Sequence, residues 1–356
     1  MRLSPRKRDG DVGDQEAISS SDPNVGIRGS RVLGIDAVKF IASVGIVALH
    51  MGSKVAANNP ALIFGPLVIA AFRWGVPVFF IAAGYLQARG MSKSSGAAWL
   101  RRRAVRLYGI YAIWTVIYLV AGTFVEPGHR VSLSGLLLFG GGEFGFHLWF
   151  LPVLIATSAV GVLLKSKVAR IACLAVCMSL VFARLGGWML PGDALLGSGA
   201  PFSHWLLLYC AGMLLNDYRP SVCGARFRYS SPVSVGLFAL SGAALLAIVD
   251  FSMRTDAYTL RAVTVFGIAS AIALVMFVLG LNLSLPLKSR VSSVFGFSLG
   301  VYLIHPMARA AFGRILPLGS MDPVVWMALG FLVVLGLSMG VTALMRLQRV
   351  TKWLVS

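Results

Sequence analysis

The chain has 356 residues, of which 57% are hydrophobic and 13% charged, against roughly 25% charged in a soluble domain. A mean hydropathy of +0.81 excludes water as the main solvent of the fold. The formal net charge of +19 raises nucleic acid as a partner, but the placement of the basic residues argues against it.

Residues 1–31 are polar and basic and lack the apolar h-region of a signal peptide. They read as a disordered cytoplasmic tail, so the first span itself directs insertion. Apolar segments able to cross a hydrocarbon core of about 30 Å follow at 32–52, 64–88, 104–124, 147–165, 168–185, 201–217, 232–250, 259–281, 293–313 and 323–345. The expected fold is therefore an all-α integral membrane protein, one bundle of about ten transmembrane helices over 32–346, with both termini cytoplasmic and a short cytoplasmic tail at 347–356. In that topology most of the 32 Lys and Arg fall on the cytoplasmic side. The positive-inside rule accounts for the basicity, and no nucleic acid is expected.

The outer loops at 125–146 and 186–200 are long enough to shape a mouth. Cys173, Cys177 and Cys210 stand in apolar spans and Cys223 in a cytoplasmic loop, so they read as small packing residues and not as disulfides. Two motif matches carry no chemistry. The G-x-S-x-G pattern at Gly336 to Gly340 lies inside a continuous apolar span and reads as small-residue helix packing. The G-x-G-x-x-G at Gly140 to Gly145 follows no strand.

Polar residues inside the spans are more informative, because a charge at mid-bilayer costs at least about 2.5–3.5 kcal/mol and must face the bundle or water. In the first span Asp36, Lys39, Ser43 and His50 share one helical face. This stripe is either a functional face or a structural one, with Asp36 paired to Lys39 and His50 reaching the outer interface. In the ninth span Ser298, Tyr302, His305 and Arg309 repeat the pattern. His305 is either a satisfied hydrogen-bonding residue or a group that positions substrate. In the second span Arg73 shares a stripe with Pro77, Phe80, Gly84 and Gln87, facing an anionic ligand or a distant structural partner. At the inner mouth of the third span Arg102, Arg103 and Arg106 lie three and four residues apart. They form either an anion clamp or ordinary interfacial charges that meet membrane lipid headgroups. No metal-ligand cluster is expected.

The sequence resembles the membrane-bound acyltransferase 3 family, integral membrane enzymes that O-acetylate bacterial surface and secreted polysaccharides. The resemblance runs from Gly34-Ile35-Asp36-Ala37-Val38-Lys39 through Val47-Ala48-Leu49-His50 to Tyr302-Leu303-Ile304-His305-Pro306. Between these lie Arg73 to Leu86, the R-x-x-R of Arg103 to Arg106, and His147-Leu148-Trp149-Phe150-Leu151. It implies that His50 is the catalytic histidine and that Arg103 and Arg106 serve the acyl donor. Lys39 stands where the family usually has arginine and Ala83 where it usually has serine, so a bidentate contact at 39 is weakened and no serine nucleophile exists at 83. The implied setting is the bacterial inner membrane.

The expected mechanism is acyl transfer from cytoplasmic acetyl-CoA, held near Lys39, Arg102, Arg103 and Arg106, to a hydroxyl of a polysaccharide or lipid-linked oligosaccharide. His50 would act as base, with Asp36, Arg73 and His305 in the catalytic set. Tyr302, Arg309 and Trp149 would meet the substrate. The rival expectation is a transporter or flippase for a polysaccharide or lipid-linked sugar, which broken helices or inverted repeats would favour.

Overall fold

The computed structural model describes residues 33–59, 62, 64–91, 95–125, 145–185, 202–222, 267–272, 274–276 and 290–355. Among the described residues there is no strand. The helices are α1 (Leu33–Asn58), α2 (Phe64–Phe72), α3 (Gly75–Met91), α4 (Gly96–Val125), a 3₁₀ turn at Phe146–Trp149, α5 (Phe150–Leu163), α6 (Lys167–Leu185), α7 (Phe202–Val222), α8 (Arg290–Phe295), α9 (Ser298–Ile315), α10 (Pro323–Leu347) and α11 (Arg349–Lys352).

Among the described residues, five stretches are long and apolar enough to cross a membrane: Gly34–Asn58, Phe64–Met91, Gly96–Phe124, Phe146–Leu163 and Pro323–Leu347. Helices α6, α7 and α9 stand where the spans at 168–185, 201–217 and 293–313 were expected, without reaching that length and apolarity. The expected span at 232–250, most of that at 259–281, the tail at 1–31, Cys223 and most of the two outer loops lie outside the described residues.

Two expected single spans are broken helices. Pro77 has no N–H to give the carbonyl of Arg73, and the helix breaks between α2 and α3 at Arg73 and Trp74. Between α8 and α9 the break falls at Gly296 and Phe297. There Arg346 Nη1 donates to the Ser293 carbonyl at 2.9 Å, and its guanidinium lies 4.9 Å from the Phe297 ring centroid.

Pairwise contacts fix the helix directions. Gly45 packs on Phe72 and Gly52 on Val68, so α1 runs against α2 and α3. Ser43 Oγ donates to the Ser298 carbonyl at 2.8 Å and the His50 ring lies on His305, so α1 and α9 run parallel in one register. Tyr118 Oη donates to the Leu303 carbonyl at 2.7 Å and Arg314 to that of Phe124 at 2.9 Å, which sets α4 parallel to α9. Phe312 meets Trp326 and Gly300 meets Thr342, so α10 returns antiparallel. The start of α1, the start of α4 and the end of α10 therefore share one end of the bundle. Among the described residues, that end carries Arg89, Arg101, Arg102, Arg106, Lys165, Lys167 and Arg346.

The closest backbone approach joins α3 to α7. A Cβ on Gly84 would overlap the carbonyl oxygen of Tyr209, and one on Gly212 that of Ile81. Beside this crossing Gln87 Nε2 donates to the Ser158 carbonyl at 3.1 Å, and Tyr209 Oη donates to Gln87 Oε1. Small residues of this kind let membrane helices touch where no hydrophobic effect drives them together. Ser338, by contrast, is buried and donates to the Val334 carbonyl at 2.7 Å, which leaves it no part as a nucleophile. Gly336 and Gly340 beside it meet none of the described residues within 4 Å, so no small-residue packing is seen there among them.

Residues 348–355, expected as a tail, fold back onto α4. Trp114 Nε1 donates to the Leu354 carbonyl at 3.2 Å, and Leu354 and Val355 are buried. Cys173, Cys177 and Cys210 are free thiols, with Cys173 and Cys210 Sγ 3.6 Å apart.

Replacing Gly84 or Gly212 by Ala forces two backbones apart, a distortion typically costing about 1–3 kcal/mol or more. Each variant is expected to lower the thermal midpoint of the detergent-solubilised protein. Gly122→Ala, where a Cβ meets nothing within 4 Å, should leave it unchanged or raised.

Candidate active site

The site forms where the polar stripes of α1 and α9 meet. An interval of seven residues, two helical turns, separates Ser43 from His50 and Ser298 from His305. Because α1 and α9 are parallel in one register, each serine pair and each histidine pair stands at one level. The rings of His50 and His305 stack with centroids 5.2 Å apart and planes 25° from parallel. Arg309, one turn further along α9, places Nη1 3.5 Å from the His50 carbonyl, a long contact that keeps the guanidinium beside the histidines. His50 is half-buried and turned into the bundle, with the Phe146 ring edge-on at 5.5 Å.

A third histidine joins them. His147, in the 3₁₀ turn ahead of α5, is 2% exposed and meets His305 edge-to-face at 5.6 Å and Tyr118 at 4.9 Å. Among the described residues, neither of its ring nitrogens has a hydrogen-bond partner, and neither does Nε2 of His305. The Leu303 carbonyl lies close to the His147 ring but outside hydrogen-bonding geometry, and it already accepts from Tyr118. His147 appeared in the sequence only within the His-Leu-Trp-Phe-Leu fragment. Its one readable signal was a histidine at the mouth of an apolar span.

Several expected site residues stand elsewhere or are already engaged. Asp36 and Lys39 form an ion pair at 2.7 Å, and fourteen residues of helix put Asp36 about 21 Å below His50. The structural alternative therefore describes this pair: Asp36 does not reach the histidine cluster, and Asp36 already holds the Lys39 ammonium. Tyr302 has one phenolic proton, and it goes to the His147 carbonyl at 2.7 Å. Tyr302 thus anchors the 146–149 turn and has no proton left for substrate. Trp149 packs at 5.0 Å on Trp205, in an aromatic layer that also contains Phe80 and Phe150. Arg73 stands at the α2–α3 break, level with Gly45 and more than a turn below His50.

At the basic end Arg101, Arg102 and Arg106 are exposed, whereas Arg103 turns inward on the α4 face that also carries Trp99, Trp114 and Tyr118. The Arg103 guanidinium lies 5.0 Å from the Trp99 ring centroid, and its buried Nε has no partner among the described residues. It interacts with Tyr209, and so adjoins the Gln87, Ser158 and Tyr209 group. Fifteen residues of α4 separate Arg103 from Tyr118 at the histidine level, about 22 Å.

A family model described as an acyltransferase domain, Acyl_transf_3, matches residues 32–343. The chain belongs to the acyltransferase 3 family. The same comparisons return no match among curated proteins and none among solved structures. The match covers every helix that builds the histidine cluster and the arginine-bearing end of α4. An acyltransferase 3 protein with five helices, among the described residues, long and apolar enough to cross a membrane is a membrane acyltransferase. Among the described residues no His, Cys, Asp and Glu group could hold a metal ion.

Tyr302→Phe removes the hydroxyl that binds the His147 carbonyl. Leaving that buried carbonyl unsatisfied costs about 1–3 kcal/mol, which should appear as a lower thermal midpoint and a reduced transfer rate. An unchanged midpoint would show that the 3₁₀ turn is held by other contacts.

Proposed function

We propose that the protein is an O-acyltransferase of the bacterial inner membrane. It moves an acetyl group from cytoplasmic acetyl-CoA to a hydroxyl of a surface or secreted polysaccharide or its lipid-linked precursor. The observation that carries this reading is the register of α1 and α9, which turns His50 into the bundle against His305 and beside Arg309.

The donor end is supported by its charge and by one atom. Arg101, Arg102 and Arg106 offer exposed cations to phosphates, and Arg103 holds a buried Nε without a protein partner. Lys39, engaged by Asp36, contributes less than expected. From Arg103 to the histidine level is about 22 Å along α4, a gap that an extended pantetheine arm can bridge to deliver a thioester.

His50 acts as general base, with its imidazole turned into the bundle against His305 and beside Arg309. It removes the hydroxyl proton as the carbon–oxygen bond forms and the carbon–sulfur bond breaks, then returns that proton to the leaving thiolate. Arg309, whose guanidinium lies beside the histidines, stabilises the developing oxyanion.

The broken helix α2–α3 is also what a transporter or flippase for sugars would use, although Pro77 accounts for the break locally. The two readings part on thiol release. Purified protein with acetyl-CoA and unacetylated surface glycan should release CoA thiol and acetylate the glycan. His50→Ala should slow release by about 10²–10⁴-fold, the usual worth of a general base, and Arg103→Ala should weaken acetyl-CoA binding. Thiol release unchanged in both variants, or glycan movement across vesicles without thiol release, would refute the proposal.

A further inference from the structure

The tautomer of His305 follows from the residue after it. Pro306 lies inside α9 and has no N–H for the carbonyl of Tyr302, four residues back. That orphaned carbonyl stands 2.7 Å from His305 Nδ1, with the Val301 carbonyl at 3.2 Å. A carbonyl can only accept, so Nδ1 carries the proton and Nε2 presents a lone pair. Nε2 is buried and has no partner, and both nitrogens of the neighbouring His147 ring are in the same condition. One His147 nitrogen must donate and the other accept in the neutral ring. The large majority of buried side-chain polar atoms are paired in folded proteins, so three nitrogens without a partner among the described residues, in one cluster, point to a ligand.

The chemistry of that ligand can be read from the donor set. Two acceptor nitrogens and one donor suit neutral hydroxyls, which both give and take a hydrogen bond. The acidic residues among the described ones, Asp36, Asp217 and Asp322, lie on other contacts, paired with Lys39, paired with Arg170 and capping α10. Among the described residues, then, no carboxylate at the cluster offers an ammonium group a counter-charge.

We propose that His147 and His305 form the acceptor subsite, holding the hydroxyls that flank the one deprotonated by His50. This rests on the acyl-transfer reading above and assigns to it a vicinal polyol as acceptor. His305 Nε2 accepts from one hydroxyl and His147 donates to an oxygen. Pro306 is a positioning residue that acts by freeing the carbonyl that sets the His305 tautomer.

The test uses the full-length protein in detergent, with acetyl-CoA as donor and, as acceptor, surface glycan from a strain lacking the chain. Donor affinity is measured separately by calorimetry without acceptor. His147→Phe keeps the ring packing but removes both nitrogens. It should bind acetyl-CoA like the parent, raise the acceptor KM at least tenfold, a loss of about 1.4 kcal/mol, and leave kcat at saturating acceptor little changed. His147→Gln, which keeps a donor and an acceptor, should recover most of the affinity. Pro306→Ala returns an N–H to the Tyr302 carbonyl, and should raise the acceptor KM while the thermal midpoint holds or rises. A parental acceptor KM in His147→Phe would overturn the subsite, as would a parallel loss of donor binding, which marks a structural role. Failure of the parent protein to bind acetyl-CoA would instead overturn the acyl-transfer reading, and the subsite with it.

Discussion

Hydrocarbon offers no partner to a polar side chain, and the structure is arranged around that constraint. Ser43, His50, His305 and Arg309 would each be costly against lipid. The parallel register of α1 and α9 brings them face to face, Ser43 on the Ser298 backbone and His50 on the His305 ring. A one-residue slip would rotate these side chains by about 100° and return them to lipid or to apolar neighbours. The registration that makes the bundle tolerable in the membrane is therefore the same one that assembles the histidines.

Around this seam the remaining helices act as supports. α4 is tied to α9 by Tyr118 on the Leu303 carbonyl, and the 3₁₀ turn is tied to α9 by Tyr302 on the His147 carbonyl. The glycine crossing of α3 and α7 sets Tyr209 beside Gln87 and Ser158, and so fixes the surroundings of Arg103. α4 links the two regions, since one face carries Arg103 at the basic end and Tyr118 at the histidines. The chain segment 348–355 is packed on that same face through Trp114.

The five described stretches long and apolar enough to cross a membrane were legible in the sequence because apolar runs of about 20 residues allow little else. The two polar stripes were legible too, since spacings of three and four residues put side chains on one face. What each polar group does was less legible, because it depends on where single protons go. Tyr302 looked available for substrate until its proton was found on the His147 carbonyl. Asp36 looked catalytic from its place on the stripe, but the partner three residues away claims it. His147 carried almost no signal, since it stands alone in its own segment and gains meaning only from α4 and α9.

The sequence by itself determined that this chain lives in a membrane, which faces of α1 and α9 must turn inward, and, through Pro77 and Pro306, where main-chain carbonyls lose their helical donors. These are consequences of local covalent structure and of side-chain spacing. Only the tertiary structure decided that the two stripes face each other, that a third histidine from a distant turn completes the cluster, and that Arg103 alone of its group points inward. Those facts depend on pairing segments more than a hundred residues apart, which helical periodicity does not encode.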